Sequence, residues 1–276
     1  MNSLWIFIWG QNRPVLFEII NLSHVLEKNR RRRSQYFLFD IFSNFLVGFV
    51  SIAYLSYKYN QIKFFEEELF RHSKNKKSFL WTIHQKIAFH LDETLESYEK
   101  GTKIPQYRKI LLSYADGNVL ETGVGTSRNI KYYPPGVTVT AVDWSENMLE
   151  VALMKPRLHV DIDYKLDDVE RLNFHDNTFD TVVDTFGLEY YVNPEKALEE
   201  MKRVCKKDGR ILILTSGKSH YDFLDMFLDF KTPYVVCNSG YFPNRDWSQY
   251  ITPDKFEIEK FERKMNGTLY FYVLKN

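Results

Sequence analysis

The chain predicts an α/β fold, a mostly parallel sheet with helices on both faces. Three observations carry this. Short apolar runs alternate with amphipathic helical stretches from Val119 to the C-terminus. The first run ends in a turn holding Gly123 and Gly125, which lack a Cβ and let the backbone bend tightly and approach a ligand closely. The second run, Val137 to Val142, ends in Asp143, about twenty residues after the first strand, where an acid is placed to accept from a ribose diol. A helix is expected directly after the glycine turn, its N-terminal N–H groups aimed at the turn. Strand, glycine turn, helix, strand and acid make a nucleoside-binding half-fold, with the ligand still open.

The 276 residues suffice for one sizeable α/β domain with extensions, and 44% hydrophobic residues promise a true core. The net charge of +1 does not point to nucleic acid. Two cysteines, Cys205 and Cys237, make neither a disulfide scaffold nor a zinc site, and the seven histidines offer no metal pair at helical spacing.

Residues 1–35 read as an N-terminal tail with a short apolar run at Leu4 to Trp9; Glu18 and Glu27 argue against an Arg-rich presequence. Residues 36–57 are apolar, follow Arg30 to Arg33 and carry Tyr36, Tyr54 and Tyr57 near their ends. As a helix they extend about 33 Å, enough for a hydrocarbon core of about 30 Å, so a single transmembrane helix is expected. The alternative is an apolar helix docked on the domain or on another protein. Residues 58–106 read as a helical linker or lid, with Phe64, Phe65, Leu69 and Phe70 and then Leu80, Ile83, Ile87, Leu91 and Leu95 at helical spacing. A domain of residues 107–276 follows, opened by a helix from Tyr107 to Tyr114.

Within that domain Ser145 caps a helix that buries Met148, Leu149 and Ala152. Ile162 to Leu166 is a third strand, leading into Asp167 and Asp168, and Thr181 to Phe186 a fourth. Pro194 starts a helix with Ala197, Leu198, Met201 and Val204 on its buried face. Lys207 to Gly209 turns into the strand Arg210 to Leu214. A helix from Tyr221 to Phe230 and two alternating strands, Phe256 to Glu262 and Leu269 to Leu274, close the sheet.

Leu120-Glu-Thr-Gly-Val-Gly-Thr-Ser127, Ala141-Val-Asp-Trp-Ser-Glu-Asn-Met-Leu149, Asp167-Asp-Val-Glu-Arg-Leu172 and Phe179-Asp-Thr-Val-Val-Asp-Thr-Phe-Gly-Leu188 resemble the ordered motifs of class I S-adenosylmethionine-dependent methyltransferases. Arg203-Val-Cys-Lys-Lys-Asp-Gly-Arg-Ile-Leu212 fits the next family element. Within that fold the chain is similar to the ubiquinone-biosynthesis-like branch, the methyltransferase type 11 domain. Asp184 to Leu188, Asn244-Arg-Asp246 and Gly267 to Tyr270 are similar to membrane-anchored mitochondrial methyltransferase-like proteins. The resemblance implies a Rossmann-like sheet and S-adenosylmethionine as cofactor. It implies that Gly123 and Gly125 pass under the methionine and ribose, that Glu121 helps hold the methionine end, and that Asp143 takes the ribose hydroxyls. Trp144 and Met148 would pack on the adenine, Asp168 would accept from its amino group with Val169 adding a backbone contact, and Thr185 to Gly187 would line the path to the methyl group.

The family's third glycine is Ser127 here, and Thr215-Ser-Gly217 and Tyr241-Phe-Pro243 depart from close relatives on the acceptor side. No catalytic base is assigned; Glu189, Tyr190, Tyr191, His220 and Asp246 are within reach. The Asn/Asp-Pro-Pro-aromatic phrase of nucleobase amino-methyltransferases is absent after strand four, which argues against nucleic acid. The expectation is a methyltransferase anchored in the mitochondrial inner membrane, with membrane lipid around its anchor and a small hydrophobic acceptor. The alternative is an accessory or assembly subunit of a multi-subunit mitochondrial membrane complex. A nicotinamide dehydrogenase is weaker, because position 128 is Arg where that fingerprint needs Gly.

Overall fold

The structure is a computed structural model that describes residues 75–156 and 159–276, with scattered helical positions between 48 and 71. The chain divides into two units, Met1–Gln61 and Ile62–Asn276, and the second is described here. The expected tail over 1–35 lies outside the described residues, as does most of the expected membrane span over 36–57, of which positions 48–51 and 56–57 are helical. Among the described residues no helix is long and apolar enough to cross a membrane.

Two helices lead in: α1 (Lys76–Lys100) and α2 (Ile104–Leu112). Then come β1 (Asn118–Thr122), β2 (Thr138–Asp143), α3 (Glu146–Leu153), β3 (Asp161–Leu166), β4 (Phe179–Thr185), α4 (Pro194–Val204), β5 (Cys205–Ser216), α5 (Asp222–Ser239), β6 (Glu257–Lys264) and β7 (Leu269–Lys275). The seven strands form one sheet in the order β3-β2-β1-β4-β5-β7-β6. Pairing is parallel from β3 to β5, and β7 runs antiparallel to both β5 and β6. This is the mostly parallel α/β sheet that the alternation predicts, with the Rossmann-like form that the resemblance implies.

β1 and β4 lie at the centre and are buried along nearly their whole length, with Val119-Leu120 and Val182-Val183 as their apolar cores. Successive residues alternate between two cores. Leu120, Val182 and Ile211 pack with Leu198 and Met201 of α4. Val119, Val183 and Leu212 pack on the other face with Leu111 and Leu112 of α2. α4 has every expected terminal signal: the Asn193 side chain accepts from Lys196 N–H, Pro194 is at the first turn, and Lys202 and Arg203 stand in the last.

Three places differ from the sequence reading. The turn expected at Lys207 to Gly209 falls within β5, as a register shift between the Phe179–Cys205 and Thr181–Arg210 pairs. The helix expected after the glycine turn does not form; residues 124–129 are a run of turns ending in a short 3-10 helix, Ile130–Tyr132. Gly123, Gly125 and Ser127 all take left-handed φ values of 56°, 53° and 60°, which an α-helix cannot contain, and Pro134 and Pro135 bar its extension. Ser127 thus adopts a conformation that glycine takes most easily, and its Oγ accepts from Tyr164 Oη at 2.7 Å. α5, expected to end at Phe230, runs through Pro233 to Ser239 and stops at Gly240 in a left-handed cap, φ 76°. Burial of Val235 and Val236 beyond the proline holds the extra turns.

Candidate cofactor site

The carboxyl ends of β1, β2, β3 and β4 surround one cavity of about 860 Å³ including its mouth. It lies where the strand order reverses between β1 and β4, the place where open α/β sheets take ligands. Glu121, Gly123, Gly125, Asp143, Trp144, Met148, Asp168, Val169, Thr185 and Gly187 all line it. Every residue the sequence singles out for the cofactor therefore reaches one place.

Asp143 is the hub of the turn. Its Oδ2 accepts from Gly125 N–H at 2.8 Å and its Oδ1 from Ser145 N–H at 2.9 Å. Burial still raises its pKa to about 6. Gly125 faces open space, with nothing within 4 Å of where a Cβ would stand, whereas a Cβ on Gly123 would meet Tyr191 Oη at 2.6 Å. Behind the cavity the buried Asp184 accepts from Gly187 N–H and Leu188 N–H at 3.0 Å each, and from Tyr191 Oη at 2.8 Å. That set pins the segment after β4, including Phe186 at a left-handed φ of 63°. Glu121 accepts from Asn129 Nδ2 at 2.9 Å and Tyr133 Oη at 2.7 Å, and burial pushes it up to about 7.

α1 contributes His84, Leu91 and Leu95 to the lining of this site. Gln85 Oε1 accepts from Ser145 Oγ and Asn147 N–H, both at 3.0 Å. Lys77 pairs with Asp168 and Glu170. Trp144 Nε1–H donates to His84 Nδ1 at 2.8 Å, and His84 Nε2 lies 3.2 Å from Gly240 O. An indole can only donate, so Nδ1 accepts, Nε2 carries the proton, and the ring is neutral. Burial lowers its pKa to about 4, in agreement.

Arg108 of α2 is the main residue that motif reading misses. It is 4% exposed. Its Nη1 donates to Asn129 Oδ1 at 2.9 Å and Thr185 Oγ1 at 2.7 Å, and its Nη2 to Glu99 Oε1 at 3.1 Å. Its Nε is buried with no hydrogen-bond partner. Arg128 spans Asp92 at 2.9 Å and Glu99 at 2.8 Å, and Lys155 also meets Asp92. Arg108, Arg128 and Lys155 thus share the two carboxylates Asp92 and Glu99, and the buried Glu121 also acts on Arg108. A signal existed: Arg108 and His84 both sit on the apolar stripes of their helices, beside Leu111 and Leu112 and beside Leu80 and Ala88.

The five proton-acceptor candidates do not converge. Tyr190 and Tyr191 line the cavity. Glu189 is buried and turned towards β5, accepting from Ser216 N–H at 2.5 Å. His220 is exposed beside the β6–β7 turn, and Asp246 caps the 3-10 turn Trp247–Gln249. Both lie off the cavity wall, because the turn that follows β5 carries them to the antiparallel edge of the sheet.

Residues 120–213 match the family model described as a methyltransferase domain. This segment is a methyltransferase domain. The chain is 29% identical over 213 residues to the mitochondrial methyltransferase OMS1 of Saccharomyces cerevisiae, covering 70% of this chain and 45% of that protein. It is 36% identical over 122 residues to a phosphatidylethanolamine N-methyltransferase of Cereibacter sphaeroides, covering 43% of this chain and 60% of the relative. It therefore spans about half the length of the curated relatives it matches. A methyltransferase of Haloferax volcanii, solved in complex with a methyltransferase activator, aligns with a TM-score of 0.50 at 13% identity, over 70% of this chain and 96% of that one; that likeness concerns the fold alone. The family implies S-adenosylmethionine as cofactor.

Proposed function

We propose that this chain is an S-adenosylmethionine-dependent methyltransferase held at a mitochondrial membrane by residues 36–57 and acting on a hydrophobic acceptor. The observation that carries the reading is the meeting of Asp143, Gly125 and Arg108 on one cavity wall. The residues fit the cofactor at both ends. Gly125 leaves open the space a Cβ would fill, next to a carboxylate suited to a ribose diol. Arg108 brings a guanidinium with a buried N–H that has no partner, which suits the carboxylate of the methionine part.

Bound there, the cofactor supplies an electrophilic methyl group on a sulfonium. The work of the chain is alignment and exclusion of water. Asp143 fixes the ribose, Trp144 and Met148 give the adenine an apolar wall, and Asp168 with Val169 sets its edge. Thr185 to Gly187, pinned through Asp184, hold the floor on which the acceptor approaches. α1 shuts out solvent from above. An amine or thiolate acceptor needs no base in this scheme, in keeping with the scattered candidates.

A membrane-borne acceptor suits the apolar run of residues 36–57, and the likeness to a mitochondrial relative supports the compartment. The dispersal of Glu189, His220 and Asp246 also favours a second reading, an accessory subunit of a mitochondrial membrane complex that keeps the cofactor site without turnover. Calorimetric titration of the full chain with S-adenosylmethionine, beside Asp143→Ala, tests the first reading. Micromolar binding lost by about a hundredfold in the variant is expected, a difference of about 2.7 kcal/mol. A folded wild type that does not bind would end it.

A further inference from the structure

The cations around the cavity are of two kinds. Arg108, Arg128, Lys155 and Lys77 each meet a carboxylate. Lys76 and Arg245 stand beside the cavity and not among its lining residues, and they make no salt bridge among the described residues. Both nevertheless stand against one aromatic ring: Lys76 Nζ lies 4.9 Å and the Arg245 guanidinium carbon 4.5 Å from the centre of Phe242. Partial burial lowers the pKa of Lys76, and the neighbouring Arg245 charge lowers it further. Burial brings Arg245 down to about 10.

The acids that act on Arg245 from a distance are committed elsewhere. Glu170 accepts from Asn193 N–H at 2.9 Å and Lys77 at 3.3 Å, and Glu189 accepts from Ser216 N–H. Arg245 itself donates to two carbonyls, Leu188 O through Nη1 and Tyr191 O through Nη2, at 2.5 Å each. Those bonds fix the plane of the guanidinium without cancelling its charge, and each terminal nitrogen keeps a second N–H. They also tie Arg245 to the segment 187–191, whose Gly187, Tyr190 and Tyr191 line the cavity. Phe242 packs in the same apolar cluster as Trp144. The loop-holding role accounts for Arg245 but not for a second, uncompensated cation drawn from α1 onto the same ring.

Holding two like charges partly out of water costs free energy that an anion would offset. A guanidinium fork and an ammonium point charge on separate elements together suit a group with several anionic oxygens, such as a phosphate. We propose that Lys76 and Arg245 form a site for the phosphate of the methyl acceptor, making that acceptor a phosphate-bearing amphiphile. This rests on the methyltransferase reading, and it gives the acceptor flank a recognition element that needs no catalytic base.

The test titrates the full chain with dihexanoyl phosphatidylglycerol, inorganic phosphate and phosphate-free dihexanoylglycerol, using wild type, K76Q and K76R. S-adenosylmethionine binding is measured in parallel. The expected result is phosphodiester binding weakened about tenfold in K76Q and retained in K76R, with cofactor affinity unchanged in both. The Arg245→Lys variant, which keeps the charge but not the fork, should weaken it as well. Lys76-dependent binding of the diester alone assigns a lipid headgroup, and equal dependence for inorganic phosphate assigns a free phosphate group; both support the site. Equal diester and phosphate affinities in wild type and K76Q, or dihexanoylglycerol binding as tightly as the diester, would overturn it. Loss of S-adenosylmethionine binding by wild type with Lys76-dependent phosphate binding intact would remove the methyltransferase reading and leave the anion site standing.

Discussion

The two flanks of the cavity are built differently. On the cofactor flank the polar groups are interlocked: Asp143 holds Gly125 and Ser145, and Arg108 holds Asn129, Thr185 and Glu99. On the acceptor flank Glu189 points into β5, and Lys76 and Arg245 lean on Phe242. The first flank presents a preorganised surface to a ligand of fixed shape. The second offers aromatic rings, Tyr190 5.4 Å from Tyr241 and 5.1 Å from His84, with charge left at the rim. Fixed chemistry is met by a dense set of hydrogen bonds, and the variable partner by ring faces with fewer bonds among them.

The contrast is broken most severely at Arg108. Arg108→Ala leaves Glu99 to Arg128 alone, removes the donor to Asn129 Oδ1 and one of the two donors to Thr185 Oγ1, so a loss of about 3 kcal/mol in stability is expected from chemical denaturation. Acceptor-flank substitutions such as Lys76→Gln should leave the denaturation midpoint nearly unmoved. Gly187→Ala comes next. Its Cβ would stand 2.5 Å from both Asp184 Oδ2 and Tyr191 Oη, so the segment must shift, with a stability loss of about 1–3 kcal/mol in the same assay.

Acidity sharpens the comparison on the cofactor side. Asp143 in the free protein has its pKa raised to about 6, and the ribose diol favours its ionised form. Cofactor affinity should therefore fall as pH drops through about 6, with a proton released on binding, and calorimetry in buffers of different ionisation enthalpy reads both. The free protein behaves oppositely. Glu121, Asp143, Asp184 and Glu189 are all raised by burial. Their contribution to stability is complete below the ordinary carboxylate range of about 4 and is lost progressively as pH rises from there through the folded values of about 6 to 7, so the melting temperature of ligand-free protein should decline over that whole interval. The smallest effect is expected for Lys77→Ala. The Lys77 ion pairs are partly exposed, so stability should change by less than about 1 kcal/mol, and added salt should shrink even that.

The sequence makes the cofactor flank readable because its residues sit at strand ends, where a run of Val and Leu locates the strand and the next polar residue locates the site. Asp143 and Asp168 follow this rule. The glycine turn was legible as a turn but not as the end of regular helix, since the left-handed φ of Ser127 is imposed by its neighbours rather than by serine. α1 was visible only as an apolar stripe. Its contacts from Lys77, His84, Gln85 and Asp92 join residues 34 to 91 positions apart, and no local pattern encodes such pairs. The acceptor flank was least legible for the same reason: Lys76, Tyr190 and Arg245 meet only through the fold.

The most direct test is a crystal structure of the full chain with S-adenosylhomocysteine. The account predicts the ribose hydroxyls on Asp143, the adenine between Trp144 and Met148, and the carboxylate on Arg108 with its Nε now bonded. Ligand bound elsewhere, or bound in this cavity with its carboxylate away from Arg108 and its ribose away from Asp143, would contradict it.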